Sequence, residues 1–127
     1  MRRIARPSLA VPTLAMLAGL SPAAAQTYSG APLSPPELQK VIVDAVAGRM
    51  ADAEAAVVSD LRPSKARSGH GYCGTVAAAA GAPKQPFHIL VEEGADPAVL
   101  ILPETGDPLG LPRADATRLL INLGCLP

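Results

Sequence analysis

The sequence predicts an α+β domain: a helix, a three-stranded antiparallel sheet and a second helix, with one disulfide and both helices on one face of the sheet. Three observations lead there. Residues 38–57 carry apolar side chains at three- and four-residue steps, the period of one helix face. Residues 70–78, 87–92 and 98–102 are short apolar or alternating stretches bounded by Gly or Pro, as strands are. Cys73 and Cys125 are the only two cysteines.

The N-terminus sets the compartment. Arg2, Arg3 and Arg6 form a basic start, and an apolar stretch over 9–20 follows. Ala23 and Ala25 then give the small-x-small pattern of a cleavage site, with the cut between Ala25 and Gln26. Residues 1–25 therefore read as a secretory signal peptide. Their apolar run falls short of the roughly 20 residues a membrane span needs. Arg2-Arg3 reads as ordinary charge of this segment, and no cysteine near the cut offers a site for lipid. The expected location is the periplasm or the medium. Beyond the leader, residues 26–34 read as a flexible arm and 35–127 as a single small α+β domain.

Removing residues 1–25 takes three arginines away. Lys plus Arg falls from 11 to 8 against 11 Asp plus Glu, a net charge of about −3. An acidic surface repels phosphate backbones. With no Trp, one Phe and two Tyr, stacking platforms for bases are lacking too. No nucleic-acid partner is expected, nor any cofactor or membrane span after cleavage. The core must be built from Ala, Val, Leu and Ile, with little aromatic area to stabilise it.

Element by element, Ser34-Pro35-Pro36-Glu37 reads as a helix start, with Ser34 as cap, Pro35 at the first helical position and Glu37 closing a capping box. Leu38, Val41, Ile42, Ala45, Val46, Met50, Ala53 and Val57 make the apolar stripe of a helix reaching about Ser59, interrupted by Gly48. Residues 60–69, with Arg62, Lys65 and Arg67, read as a solvated connection rather than an anion-binding loop. Strand 70–78 holds Cys73 between Gly71 and Gly74, a sign of close backbone packing or a bulge. Strand 87–92 puts Phe87, Ile89 and Val91 on one face and His88 on the other. Strand 98–102 is continuously apolar, as if buried on both faces. Glu104 and Asp107 lie in a Gly/Pro loop, spaced as solvated carboxylates rather than calcium ligands. The last helix runs from Pro112 to Leu123, with Ala116, Leu119, Leu120 and Leu123 on one side and Gly124 as its stop.

In an oxidising compartment an even pair of cysteines reads as a disulfide. The Cys73–Cys125 bridge spans 52 positions, and closing that loop is worth about 4 kcal/mol. Two rival readings use the same residues. His70, Cys73, His88 and Cys125 make a two-His, two-Cys set, but without a second short-spaced pair of ligands. Alternatively Cys73 is a nucleophile activated by His70 or His88, with no third group in the sequence to orient the base. The bridge is preferred, with no metal site and no catalytic residue assigned.

Tyr72-Cys73-Gly74-Thr75-Val76, the preceding segment 60–67, Phe87 in a strand and a helix ending at Cys125 together resemble a group of small exported bacterial proteins. In that group an Asp-Pro-x-Ser-Ala-x-Phe-Arg segment, whose Asp-Pro pair and Phe this chain lacks, precedes Cys-Gly-x-Val-Asn, and a cysteine lies near the C-terminus. The matching positions here are Cys73, Gly74, Val76 and Cys125, with Ala77 in place of Asn. The resemblance implies a small α+β domain with paired cysteines and no assigned activity.

The functional expectation is a non-catalytic envelope or secreted protein that binds another envelope protein or has a structural role. Two alternatives stand beside it. One is a small metal-binding or thiol-dependent enzyme using His70, Cys73 and His88. The other is an inhibitor or accessory subunit of an envelope enzyme, acting through the 104–112 loop.

Overall fold

A computed structural model describes residues 27–108 and 110–127; the expected leader and its cut between Ala25 and Gln26 lie outside the described residues. The elements are β1 (Thr27–Ser29), α1 (Pro36–Ala47), β2 (Val57–Pro63), β3 (Gly71–Ala77), β4 (Lys84–Leu90), β5 (Ala98–Ile101) and α2 (Arg113–Asn122). The strands form one sheet in the order β1-β2-β3-β4-β5. β1 runs parallel to β2, and the other three pairings are antiparallel. The expected three-stranded antiparallel sheet is therefore corrected to a five-stranded mixed sheet with two helices.

Both additional strands have a physical reason for escaping the pattern. In β2 the register with β3 shifts between Ser59 and Arg62, and Asp60 sits there at φ 59°. This bulge inserts one residue, so Val58 and Leu61 are both buried in the same cluster although three positions apart. The expected helix therefore ends at Ala47 rather than near Ser59, and Val57 to Pro63, expected to divide between that helix and a solvated connection, form one bulged strand. The N–H of Leu61 is instead taken by the Tyr28 hydroxyl at 3.0 Å, which itself donates to Ala31 O at 2.7 Å. β1 has only three residues and supplies that tyrosine from inside the segment expected to be a flexible arm.

α1 stops at Ala47 because Gly48 caps it, its N–H donating to Asp44 O. Its buried side is Ile42, Val43, Val46 and Ala47, while Val41, assigned to the stripe, is exposed. No side chain caps its start. Pro35 is the N-cap, its carbonyl accepts from Leu38 and Gln39 N–H, and Gln39 Oε1 reaches back to Leu33 N–H at 2.8 Å.

Alternation then separates two cores. Val58, Val76, Phe87 and Ile89 face α1 and pack with its buried side. Cys73 points the other way and joins Leu102, Ala116 and Leu120 of the α2 side, and Cys125. The helices thus cover opposite faces, and the expectation of both on one face is overturned. β3 is the strand buried on both sides, with Val76 and Cys73 each fully inaccessible. β5, expected to be doubly buried, is the sheet edge, and Val99, Leu100 and Ile101 are only half-buried.

The glycines beside Cys73 report close packing. A Cβ on Gly74 would lie 2.7 Å from Phe87 Cζ, so the ring lies over that backbone. A Cβ on Gly71 would strike Ser64 Oγ and His88 Nε2.

Candidate functional site

The α2 face of the sheet gathers the residues that the sequence singles out. Cys73 and His88 are cross-strand partners in β3 and β4. Cys125 reaches Cys73 because α2 ends in a Schellman turn. Gly124, at φ 82°, donates to Ile121 O, and Cys125 N–H donates to Leu120 O. That turn folds Cys125 back over the helix end, and the disulfide Cys73–Cys125 closes with 5.2 Å between Cα atoms. The end of β2 and the connection after it grip the same tail. Arg62 Nη2 donates to Gly124 O at 3.0 Å, and Lys65 N–H to Leu123 O at 2.8 Å. Part of the basic segment expected to be solvated is thus a clamp on the C-terminus.

His88 is buried on this face, its Nε2 hydrogen-bonded to Ser64 Oγ at 2.9 Å. Ser64 Oγ also accepts Ala66 N–H at 3.1 Å. Burial lowers the imidazole pKa below its ordinary value near 6.5, so the ring is neutral at pH 7. Gly71 leaves the room for this contact. A neutral histidine beside a serine hydroxyl is the first half of a nucleophile-and-base arrangement. Neither of the two concavities described below reaches Ser64 or His88. The pair ties the loop after β2 to β4.

The sign of the resulting pH dependence follows from the lowered pKa. The unfolded chain binds the His88 proton more readily than the folded one. Stability is therefore full above about pH 6.5 and is lost as pH falls from there toward the lower folded value. Urea midpoints between about pH 7.5 and 5 should decline for the wild type, and His88→Gln, which keeps an acceptor for Ser64, should flatten that decline. Parallel curves would exclude His88 as the source.

His70, expected beside Cys73 in the enzyme reading, is exposed at the mouth of β3. There its own N–H donates to Ser68 Oγ and its carbonyl accepts Val91 N–H. Among the described residues no group of three or more His, Cys, Asp or Glu could hold a metal ion, and no cysteine is free. A half-cystine has no thiolate, so the Cys73 nucleophile has no chemistry in this state. No helix among the described residues is long and apolar enough to cross a membrane.

The 103–112 loop is fastened rather than free. Arg113 Nη1 donates to Pro103 O at 2.6 Å and to Gly106 O at 3.0 Å. Asp107 Oδ1 accepts Arg113 N–H at 2.8 Å, supplying the start of α2 with the acceptor that Pro112 lacks. Asp107 is thus a helix cap, a role visible only once the loop is folded. Beside this loop and the β5 edge runs a groove of about 440 Å³, lined by Arg49, Met50, Gln85, Val99, Ile101 and Pro108 among others. A smaller hollow of about 330 Å³ lies across β1 and β2, lined by small residues such as Ser29, Ser59 and Ala77.

The chain matches no family model, no curated protein and no solved structure.

Proposed function

We propose that this chain is a small exported protein of the envelope or the medium that works by contact rather than by chemistry, with the β5 edge and its groove as the contact surface. The observation carrying this reading is an uncharged, half-buried edge strand beside a groove whose far wall is a tethered loop. Such an edge presents a row of backbone donors and acceptors to an extended chain. The disulfide supports the export part of the reading, since such bridges persist in oxidising compartments. So does the basic, apolar, Ala-x-Ala start of the sequence.

A second reading, an inhibitor or accessory subunit using residues 104–112, draws support from the Arg113 tether. A contact loop held in place before binding loses less entropy when it docks.

A photo-crosslinking residue at Gln85, in the groove, tests the main reading against the same residue at Arg67, on the β2–β3 loop. In the exporting cell, adducts of one defined size should form from position 85 and not from 67. No adduct from 85, or the same adducts from both, would overturn the β5 edge as contact surface.

A further inference from the structure

We infer that β5 is the seam between two copies of this chain, joined by antiparallel pairing about a two-fold axis through Leu100. The inference rests on the reading of the β5 edge as the contact surface and names what occupies it.

The direction of the backbone groups comes first. In the β4–β5 ladder Leu100 opposes His88, and Leu102 N–H donates to Pro86 O at 2.9 Å. Even-numbered residues of β5 therefore bond to β4, and Val99 and Ile101 direct both N–H and C=O away from the sheet. Residues 97–103 read Pro-Ala-Val-Leu-Ile-Leu-Pro. About Leu100 this order is nearly its own reverse. In the two-fold register Leu100 faces its copy, Val99 faces Ile101, Ala98 faces Leu102 and Pro97 faces Pro103. Val99 and Ile101 then exchange both N–H···O=C bonds on each side of the axis. The two prolines fall together where the ladder ends, so neither copy offers a donor that the other cannot use.

Charge and edge protection select a second copy as the occupant. No residue from 97 to 103 is charged, so self-pairing sets no like charges opposite one another. Lone edge strands are ordinarily blunted by charge, by a bulge, by proline or by shortness. β5 is short, four residues between Pro97 and Pro103, but it is regular in register with β4 and carries no charge, and in the two-fold register its prolines fall outside the pairs made by Val99 and Ile101. A ladder of five residues is about 17 Å long, too short to bury the roughly 800 Å² per partner of a standard interface. The dimer is therefore reversible and concentration-dependent.

Sedimentation velocity of the processed, oxidised chain from about 5 to about 500 µM reads the association. The wild type should pass from monomer to dimer. Val99→Lys with Ile101→Lys sets lysine against lysine twice across the axis and should weaken the dimer at least about tenfold. Val99→Lys with Ile101→Glu sets opposite charges together in the same register and should restore it. Circular dichroism establishes that both variants fold. Amide exchange on the wild type needs no variant: Val99 and Ile101 should slow as concentration rises, while Tyr28 and Gly94 should not.

A wild type monomeric throughout, or a dimer that both variants weaken equally or leave unchanged, would overturn the seam. Failure here is separable from failure of the contact-surface reading. Adducts from Gln85 to a different protein, with a monomeric chain in the centrifuge, sink the second copy and leave the surface standing. No adduct from Gln85 sinks the surface itself.

Discussion

Replacing Cys73 and Cys125 together by alanine should destabilise the fold by about 4 kcal/mol, the entropy of closing a 52-position loop. Each kcal/mol moves the midpoint of a domain this size by about 4–8 °C, so melting should fall by roughly 15–30 °C. The effect is expected near its full size because of what the bridge holds. The core on the α2 side has five buried residues, Cys73, Leu102, Ala116, Leu120 and Cys125, and two of them are the half-cystines. α2 itself is ten residues long, too short to be stable alone. Leu119 and Ile121 flank its buried line and are each 43% exposed, so they contribute little packing. Thermal melts of the oxidised wild type and of the double variant read the difference. A loss under about 1 kcal/mol would mean that Arg62, Lys65 and the Schellman turn hold the tail without the sulfurs.

The second large effect lies on the α1 side. Phe87 is the only phenylalanine and is fully buried, and Phe87→Ala should cost about 3–5 kcal/mol in a urea titration. Gly74 supplies a specific check. Its added Cβ would sit 2.7 Å and 3.0 Å from Phe87 Cζ and Cε2, and 3.0 Å from Ser59 O. Gly74→Ala should therefore be costly in the wild type and much milder beside Phe87→Ala, where the ring is gone and only the Ser59 contact remains. A double-mutant cycle should return a coupling of about 1 kcal/mol or more. Additive costs would show that the ring and the glycine do not share one space.

How far the sequence disclosed this structure follows from where its signals are local. The bridge was legible because two cysteines leave one pairing. α2 was legible to within a residue at each end, since Pro112 and Gly124 mark its ends. β3 and the core positions Phe87 and Ile89 were legible from alternation and their glycine and proline borders. β2 was not, because the Asp60 bulge breaks the two-residue period in the middle of the strand. The side of the sheet taken by each helix was not legible either. It depends on which alternate residues of β3 and β4 are buried by which helix, and both sets are apolar enough for either. The candidate site was half legible. His88 and Cys73 stood out by type, whereas Ser64, Arg62 and Arg113 act through partners 24, 62 and 10 positions away. No local spacing announces such contacts.

The parallel pairing of β1 with β2 has a consequence for the order of assembly. Thr27 meets Val57, thirty positions on, only after the intervening chain, α1 included, has been drawn into a ring, whereas β2 to β5 are successive neighbours. Long rings close late and open early. β1, the first of the described strands, is therefore expected to join the sheet last and to leave it first, and its departure would take Tyr28 away from the kinked stretch of β2 that it braces.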